Sequence, residues 1–345
     1  MPGPAHVLEG RTLDGGWVVG HLIERPPQAT GGMFSVSYPV SREGQRAFLK
    51  ALDFSEAAKA PDVPTALQAL TEAFNFERNL LRRCVEKRMD RIVVAIQDGK
   101  IRVDDSTLGT VNYLIFEFAE HDIRSQLALI EAHEVAWKLR ALHHIATGLR
   151  QLHLIGVAHQ DVKPSNVLVF KGRVSKVADL GCASVKGTES PRDELGCAGD
   201  PNYAPPELLY DYQDPEWNRR RFGCDAYLLG SMITFLFVGT TMTAAITSHL
   251  HTEHMFYNWG GTYQSVLPYV RDAFGHAIND FAEQISDTQL RRELVEIVSQ
   301  LCDPDPSLRG HPLNRTKAGN PLSLERYLAR LDLLARRAEI GLIKG

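Results

Sequence analysis

Residues 159–169 read HQDVKPSNVLV, and no other stretch so narrows what this chain can be. An acid, an amine and an amide stand at Asp161, Lys163 and Asn166, Pro164 stiffens the loop between them, and an apolar strand leads away. A solvated loop has no use for that spacing. A site that must hold a cation, a phosphate and a hydroxyl together does. Asp161 is placed to accept or orient a hydroxyl proton, and Lys163, two residues on, points the same way in an extended loop. Asn166 offers a hard oxygen suited to Mg2+. Thirteen residues past Asn166, VADLG sets a second acid, Asp179, between a strand and a glycine, where it completes such a cation site. Phosphoryl transfer asks a protein for little beyond this, because positioning and charge neutralisation carry most of the catalysis.

On either side the chain differs in character. Residues 17–50 predict strands: WVVGHLIERPP, MFSVSYPV and RAFLKAL are short β-branched or aromatic runs parted by turn signals. Phe74, Glu77, Leu80, Leu81 and Cys84 recur at helical spacing. RIVVAIQDGKI and VNYLIFEFAEH predict two further strands, with a turn at Asp98-Gly99. From about residue 123 the pattern is helical, so two unequal lobes are expected, joined at residues 118–122. Residues 227–246 are long and uncharged enough to span a membrane, but Gly230, Ser231, Thr234, Gly239 and Thr240 dilute the run. They predict a buried helix ending near Gly239 and no membrane partner. SLERYLARLDLLARRAEI carries Leu324, Leu328, Leu331 and Leu334 on one stripe, an amphipathic helix expected to pack on its own domain.

A net charge of −4 over 345 residues excludes bulk attraction to nucleic acid or anionic lipid. The five cysteines include no CxxC pair, which argues against a disulfide framework or zinc ribbon and for reduced thiols. The start, MPGPAHVLEG, lacks the basic and apolar regions of a signal peptide, so a cytoplasmic location is expected. HLHTEH (249–254) and Arg219–Arg221 read as solvated surface, and Cys182 as small-residue packing.

HQDVKPSN followed by DLG resembles the catalytic loop and magnesium-binding turn of eukaryotic-type (Hanks-type) serine/threonine protein kinases, with some likeness to bacterial members. Other parts of that family follow in order, over about residues 14–312. The resemblance implies an α+β, bilobal protein kinase-like fold. A small β-rich N-lobe of five strands would occupy about 14–118, a larger helical C-lobe about 119–312, and a C-terminal helical tail 313–345. It implies ATP and Mg2+ as cofactors and a protein substrate with a Ser or Thr acceptor. Lys50 in AFLK would contact the phosphates and be held by Glu77 of FNFERNLL. Gly31 and Gly32 would lie over the phosphates, and the backbone of Glu117 and Ala119, beyond a gatekeeper Phe116, would meet the adenine. Asn166 and Asp179 would bind the metal, Asp161, Lys163 and Asn166 would form the catalytic loop, and Arg309 would pair with Glu207. The alternatives implied by the same fold are a pseudokinase scaffold and a kinase of small molecules.

The chain departs from the family pattern at several places. The phosphate-covering loop reads TGGMFSVS, with Thr30 and Ser35 where glycines are usual. Phe48 replaces a small residue two before Lys50, and Asp200 stands where Thr is usual. Leu180 replaces the Phe of the DFG motif, and Gln160 replaces an Arg, so the catalytic loop itself offers no cation to a phosphate on Ser184, Thr188 or Ser190.

Overall fold

The computed structural model describes residues 3–24, 34–104, 109–129, 134–316 and 320–343. Alternating side chains build the first unit, Met1–Ala119, around one antiparallel sheet. β1 (Thr12–Leu13), β2 (Trp17–Val19), β3 (Ser35–Arg42), β4 (Gln45–Leu52), β5 (Ala95–Arg102) and β6 (Thr110–Glu117) lie in the order β1-β2-β3-β4-β6-β5. Six strands replace the expected five because the turn at 14–16 folds Thr12–Leu13 back along β2. Ala47, Leu49 and Ala51 of β4 join Leu8, Trp17, Tyr38 and Tyr113 in the core. Strand alternation therefore puts Phe48 and Lys50 on the opposite face.

The turn expected at Asp98-Gly99 is not there. Both residues sit inside β5, paired with Leu114 and Tyr113 of β6. Gly99 is a glycine because its neighbour is so close: a Cβ there would lie 2.4 Å from the Tyr113 hydroxyl. The RIVV stretch before β5 is largely outside the strand. α1 (Val63–Glu86) begins at Asp62, whose carboxylate accepts the Thr65 N–H, with Pro64 in the first turn. Its buried residues are Phe74, Glu77, Leu80, Leu81 and Cys84, the set that the helical spacing picks out.

The second unit, Glu120–Gly345, is mainly helical. β7 (His121–Asp122) leads into α2 (Ile123–Leu129) and α3 (Val135–His153). β8 (Val157–Ala158), β9 (Val167–Phe170), β10 (Val174–Val177) and β11 (Ser184–Val185) make two small sheets, β10-β9-β7 and β11-β8. They hold the segment around Asp161 between them. α4 (Pro206–Leu209), α5 (Trp217–Val238), α6 (Met242–His249), α7 (Tyr263–Glu283), α8 (Thr288–Leu301), α9 (Pro312–Thr316) and α10 (Glu325–Glu339) complete the unit. The long apolar run is α5 continued into α6. α5 is enclosed on nearly all sides and ends at Gly239 as expected.

α10 packs on α3, burying Leu324, Leu331 and Leu334, while Leu328 is half-buried. Arg140 of α3 reaches Asp332 at 2.7 Å and Glu339 at 2.9 Å, and Arg330 reaches Glu293 of α8 at 2.6 Å. The terminal helix is thus part of this unit.

Arg309, fully buried, forks onto both Glu207 oxygens at 2.6 and 2.8 Å and donates to the Gly223 carbonyl at 3.1 Å. Burial opposes its charge, but Glu207 more than offsets that and raises its pKa. Removing one partner of such a pair leaves a dry, uncompensated charge. Glu207→Gln is expected to cost about 3–5 kcal/mol of unfolding free energy, read by denaturant titration.

Candidate active site

In the first unit, Lys50 Nζ lies 2.9 and 3.0 Å from the two Glu77 oxygens, a bidentate pair linking β4 to α1. Glu77 is buried and Lys50 is half-buried, so the ammonium is positioned with part of its surface still open. Phe48 is half-buried and lies opposite Phe116 across β4 and β6. Glu117 ends β6 opposite Ala47. Ala119, just past the strand, has no hydrogen bond on its backbone among the described residues. Gly31 and Gly32 fall outside the described residues.

In the second unit, the loop after β8 is hung from one carboxylate. Asp225, fully buried on α5, accepts the backbone N–H of His159 at 2.9 Å and of Gln160 at 2.7 Å. His153 Nε2 lies 2.7 Å from the same group. Gln160 takes a left-handed φ of 65°, a costly conformation for a side chain of its size, and this grip holds it there. His159 accepts the Asp161 N–H at Nδ1 and donates from Nε2 to the Ala178 carbonyl at 3.0 Å.

The three residues picked out by spacing come together on that support. Lys163 Nζ is 3.1 Å from Asp161 Oδ2, and Asn166 Nδ2 donates to the same oxygen and to the Asp161 carbonyl, both at 2.9 Å. Asp200 closes the group: its N–H donates to Asp161 Oδ1 at 2.9 Å and its carboxylate lies 3.4 Å from Lys163. Burial pushes the Asp161 pKa up against the pull of Lys163. For Lys163, burial opposes the charge, but Asp161 and Asp200 together outweigh it and its pKa rises. Gly199 permits the approach, since a Cβ there would stand 2.4 Å from the Gln160 carbonyl oxygen.

Asp179 follows β10 with φ 65°, exposed, its Oδ1 accepting the Gly181 N–H at 3.3 Å. The Ala178 N–H donates to the Asn166 carbonyl at 2.8 Å, so the backbones that carry Asn166 and Asp179 are tied together. With its amide nitrogen committed to Asp161, Asn166 turns its Oδ1 away, and among the described residues no donor occupies that oxygen. A free amide oxygen and an accessible carboxylate fit the hard-oxygen set that Mg2+ takes.

A family model for the protein kinase domain matches residues 45–314, most of the chain. The chain belongs to the protein kinase family. It is 26% identical over 213 residues to cysteine-rich receptor-like protein kinase 1 of Arabidopsis thaliana, covering 57% of this chain and 34% of that one. Over 87 residues it is 37% identical to serine/threonine-protein kinase PTK2 of Candida glabrata, covering 21% and 11%. Over 204 residues it is 28% identical to inactive serine/threonine-protein kinase PLK5 of Mus musculus, covering 57% and 28%. The matches span about a tenth to a third of the length of these relatives. All three are eukaryotic, so the bacterial likeness rests on the sequence alone.

One reading of this kinase chain changes. Arg219–Arg221 is not a solvated run: Arg219 pairs with Asp214 at 2.9 Å, Arg220 donates to the Asp214 carbonyl at 2.8 Å, and Arg221 is buried. They lie in the first turns of α5, which Glu216 caps, and Asp214 and Arg221's own partners absorb the charge. Cys182 is held as a thiol, its pKa pushed up to about 12 by burial. In HLHTEH, expected to be solvated, His251 and Glu253 are exposed but His254 is largely covered and stacks on Tyr269 at 3.7 Å, and the ligand atoms of the three lie within 4.8 Å of one another. Asp225, Gly199 and Arg221 had no role assigned from the sequence. Their only signal there was position, an acid within an apolar run and a glycine before Asp200.

Asp225→Asn offers one acceptor oxygen where two N–H groups and a ring nitrogen now converge. It is expected to speed amide exchange at His159 and Gln160 by about tenfold or more and to lower stability by about 1.5–3 kcal/mol. Mass-detected exchange and denaturant titration check the two effects.

Proposed function

We propose that the chain is an active serine/threonine protein kinase that transfers the γ-phosphoryl group of ATP, with Mg2+, to a Ser or Thr hydroxyl. The observation that carries this reading is the assembled loop: a carboxylate, an ammonium and an amide meet at Asp161 Oδ2 within 3.1 Å. A fold kept only as a scaffold has no need to bury and align that set. Asn166 and Asp179 are the residues to hold Mg2+, which when bound neutralises charge on the phosphate oxygens. Asp161 orients the acceptor hydroxyl and takes its proton, and its raised pKa makes it a better base than an ordinary aspartate. Lys163, shared between Asp161 and Asp200, balances charge beside the transferring group. Lys50, steadied by Glu77, meets the nucleotide's phosphates. The segment GDPNYAPPE, residues 199–207, anchored through Glu207 and Arg309, favours a peptide acceptor over a small metabolite. The five free thiols accord with a cytoplasmic setting.

The test is incubation with γ-labelled Mg-ATP and a peptide library, with phosphosites mapped by mass spectrometry. Wild type is expected to transfer label, and Asp161→Ala to lose about 100-fold or more of the rate. Asp179→Ala is expected to lose it as fully. The pH profile gives a second readout. Asp161 acts deprotonated and its pKa is raised, so kcat/KM falls on acidification at a pH above the ordinary aspartate value of 3.8. Lys163→Met removes the positive charge that pulls the other way and is expected to move this limb higher still.

One observation favours a second reading, a nucleotide-free scaffold: the Phe48 ring shares the strand face of Lys50. That reading requires wild type to gain no thermal stability from Mg-ATP and to label nothing.

A further inference from the structure

Gln160 lies one residue before Asp161, and both amide N–H groups and the amide oxygen of its side chain engage groups outside its own loop. Its Nε2 donates to the Cys182 carbonyl at 2.9 Å and to Ser184 Oγ at 2.7 Å, and its Oε1 accepts from Arg221 Nη1 at 2.6 Å. Arg221 Nη2 then donates to the Asp193 carbonyl at 2.9 Å and to its Oδ1 at 3.0 Å. Ser184 Oγ donates to that same Oδ1, which closes a ring of four side chains: Gln160, Arg221, Asp193 and Ser184. The other Asp193 oxygen accepts the Ser190 N–H at 2.9 Å, and Ser190 Oγ accepts the Val185 N–H at 3.0 Å. Three stretches of chain meet here: the loop carrying Asp161, residues 182–193, and the first turns of α5.

The charges make the ring more than a set of polar contacts. Arg221 is 2% exposed, and among the described residues Asp193 is the one carboxylate paired with it. A guanidinium that deep depends on its partner, since losing the partner costs more than forming the pair yields. Ser184 and Ser190 are buried with their hydroxyls engaged. A phosphate on Ser184 would press against the Asp193 carboxylate, and one on Ser190 would break into the contact its Oγ makes with the Val185 N–H.

We propose that Asp193 and Arg221 are positioning residues that clamp residues 182–193 to the catalytic loop through Gln160, a fixed carboxylate doing what an added phosphate would otherwise do. The segment is therefore ordered without modification. If the chain is the kinase proposed above, on which this consequence rests, its transfer rate does not depend on phosphorylation of Ser184, Thr188 or Ser190.

The full chain, stripped of phosphate by a phosphatase and checked by intact mass, is compared with Asp193→Asn, Asp193→Glu and Arg221→Lys. Amide exchange over residues 182–193 is read first, because it needs no activity. The stripped wild type is expected to stay protected, and Asp193→Asn to exchange about tenfold faster or more there, with α7 and α8 unchanged. Asp193→Glu, which keeps the charge, recovers part of the protection, and Arg221→Lys, which keeps charge but loses the fork, recovers less. For transfer, Asp193→Asn lowers kcat about tenfold with the KM for ATP held within about twofold, and phosphatase treatment of wild type leaves kcat unchanged. Rapid exchange over 182–193 in stripped wild type, or equal protection in Asp193→Asn, overturns the clamp. So does a kcat that phosphatase treatment abolishes and rephosphorylation of the segment restores. A wild type that is protected at 182–193 but transfers no phosphate sinks the kinase reading and leaves the clamp standing.

Discussion

A single buried carboxylate holds the loop around Asp161 in shape. Asp225 has no exposed surface, yet it receives two consecutive backbone N–H groups and a histidine nitrogen. Two successive N–H groups converge on this carboxylate, and directly after the second of them Gln160 turns the backbone at φ 65°. The turn sets Asp161 on one side and sends the Gln160 amide to the other. Everything described around Asp161 depends on this geometry: the Lys163 and Asn166 contacts inward, and the Arg221 and Asp193 contacts outward.

The charges near Asp161 are set by number as well as by distance. Two carboxylates, Asp161 and Asp200, share one ammonium, Lys163. A buried acid that holds only part of a cation binds protons more readily than a free one, while the cation between two acids holds its proton harder. Asp200, where the family pattern has a neutral Thr, is thus integrated into the site. Its N–H supports Asp161 and its carboxylate is further fixed by Asn202 at 3.0 Å. Arg221 and Asp193 form a separate pair on the far side of Gln160, so the loop lies between two charge clusters linked by one neutral amide.

Much of the fold was legible before any coordinates. The buried positions of α1, the enclosed α5 ending at Gly239, and the docked α10 follow from periodicity, because an apolar stripe at helical spacing has to be covered. The site loop was legible through offsets: Asp161, Lys163 and Asn166 sit too close in the chain to be far apart in space. The misreadings share a cause. Asp98-Gly99 is a frequent turn pair, but here the glycine answers to Tyr113 on a neighbouring strand. Three adjacent arginines usually face water, but here Asp214, Asp193 and Gln160 wait for them. For Gly99 and Arg221 local statistics yielded to a partner farther along the chain, while Arg219 and Arg220 turn back to Asp214 five and six residues before them.

The sequence alone determined the strand-rich start and the helical remainder, the family, and the short-range chemistry of HQDVKPSN. Those depend on side-chain identity and spacing within a few residues, which a linear string contains. The tertiary structure decided which carboxylate supports the loop, which arginine is buried, and which glycines make room for a neighbour. Such roles are fixed by approach between distant segments, as with Asp193 and Arg221, 28 residues apart, or Glu207 and Arg309, 102 apart, and nothing local to either partner encodes the distance between them.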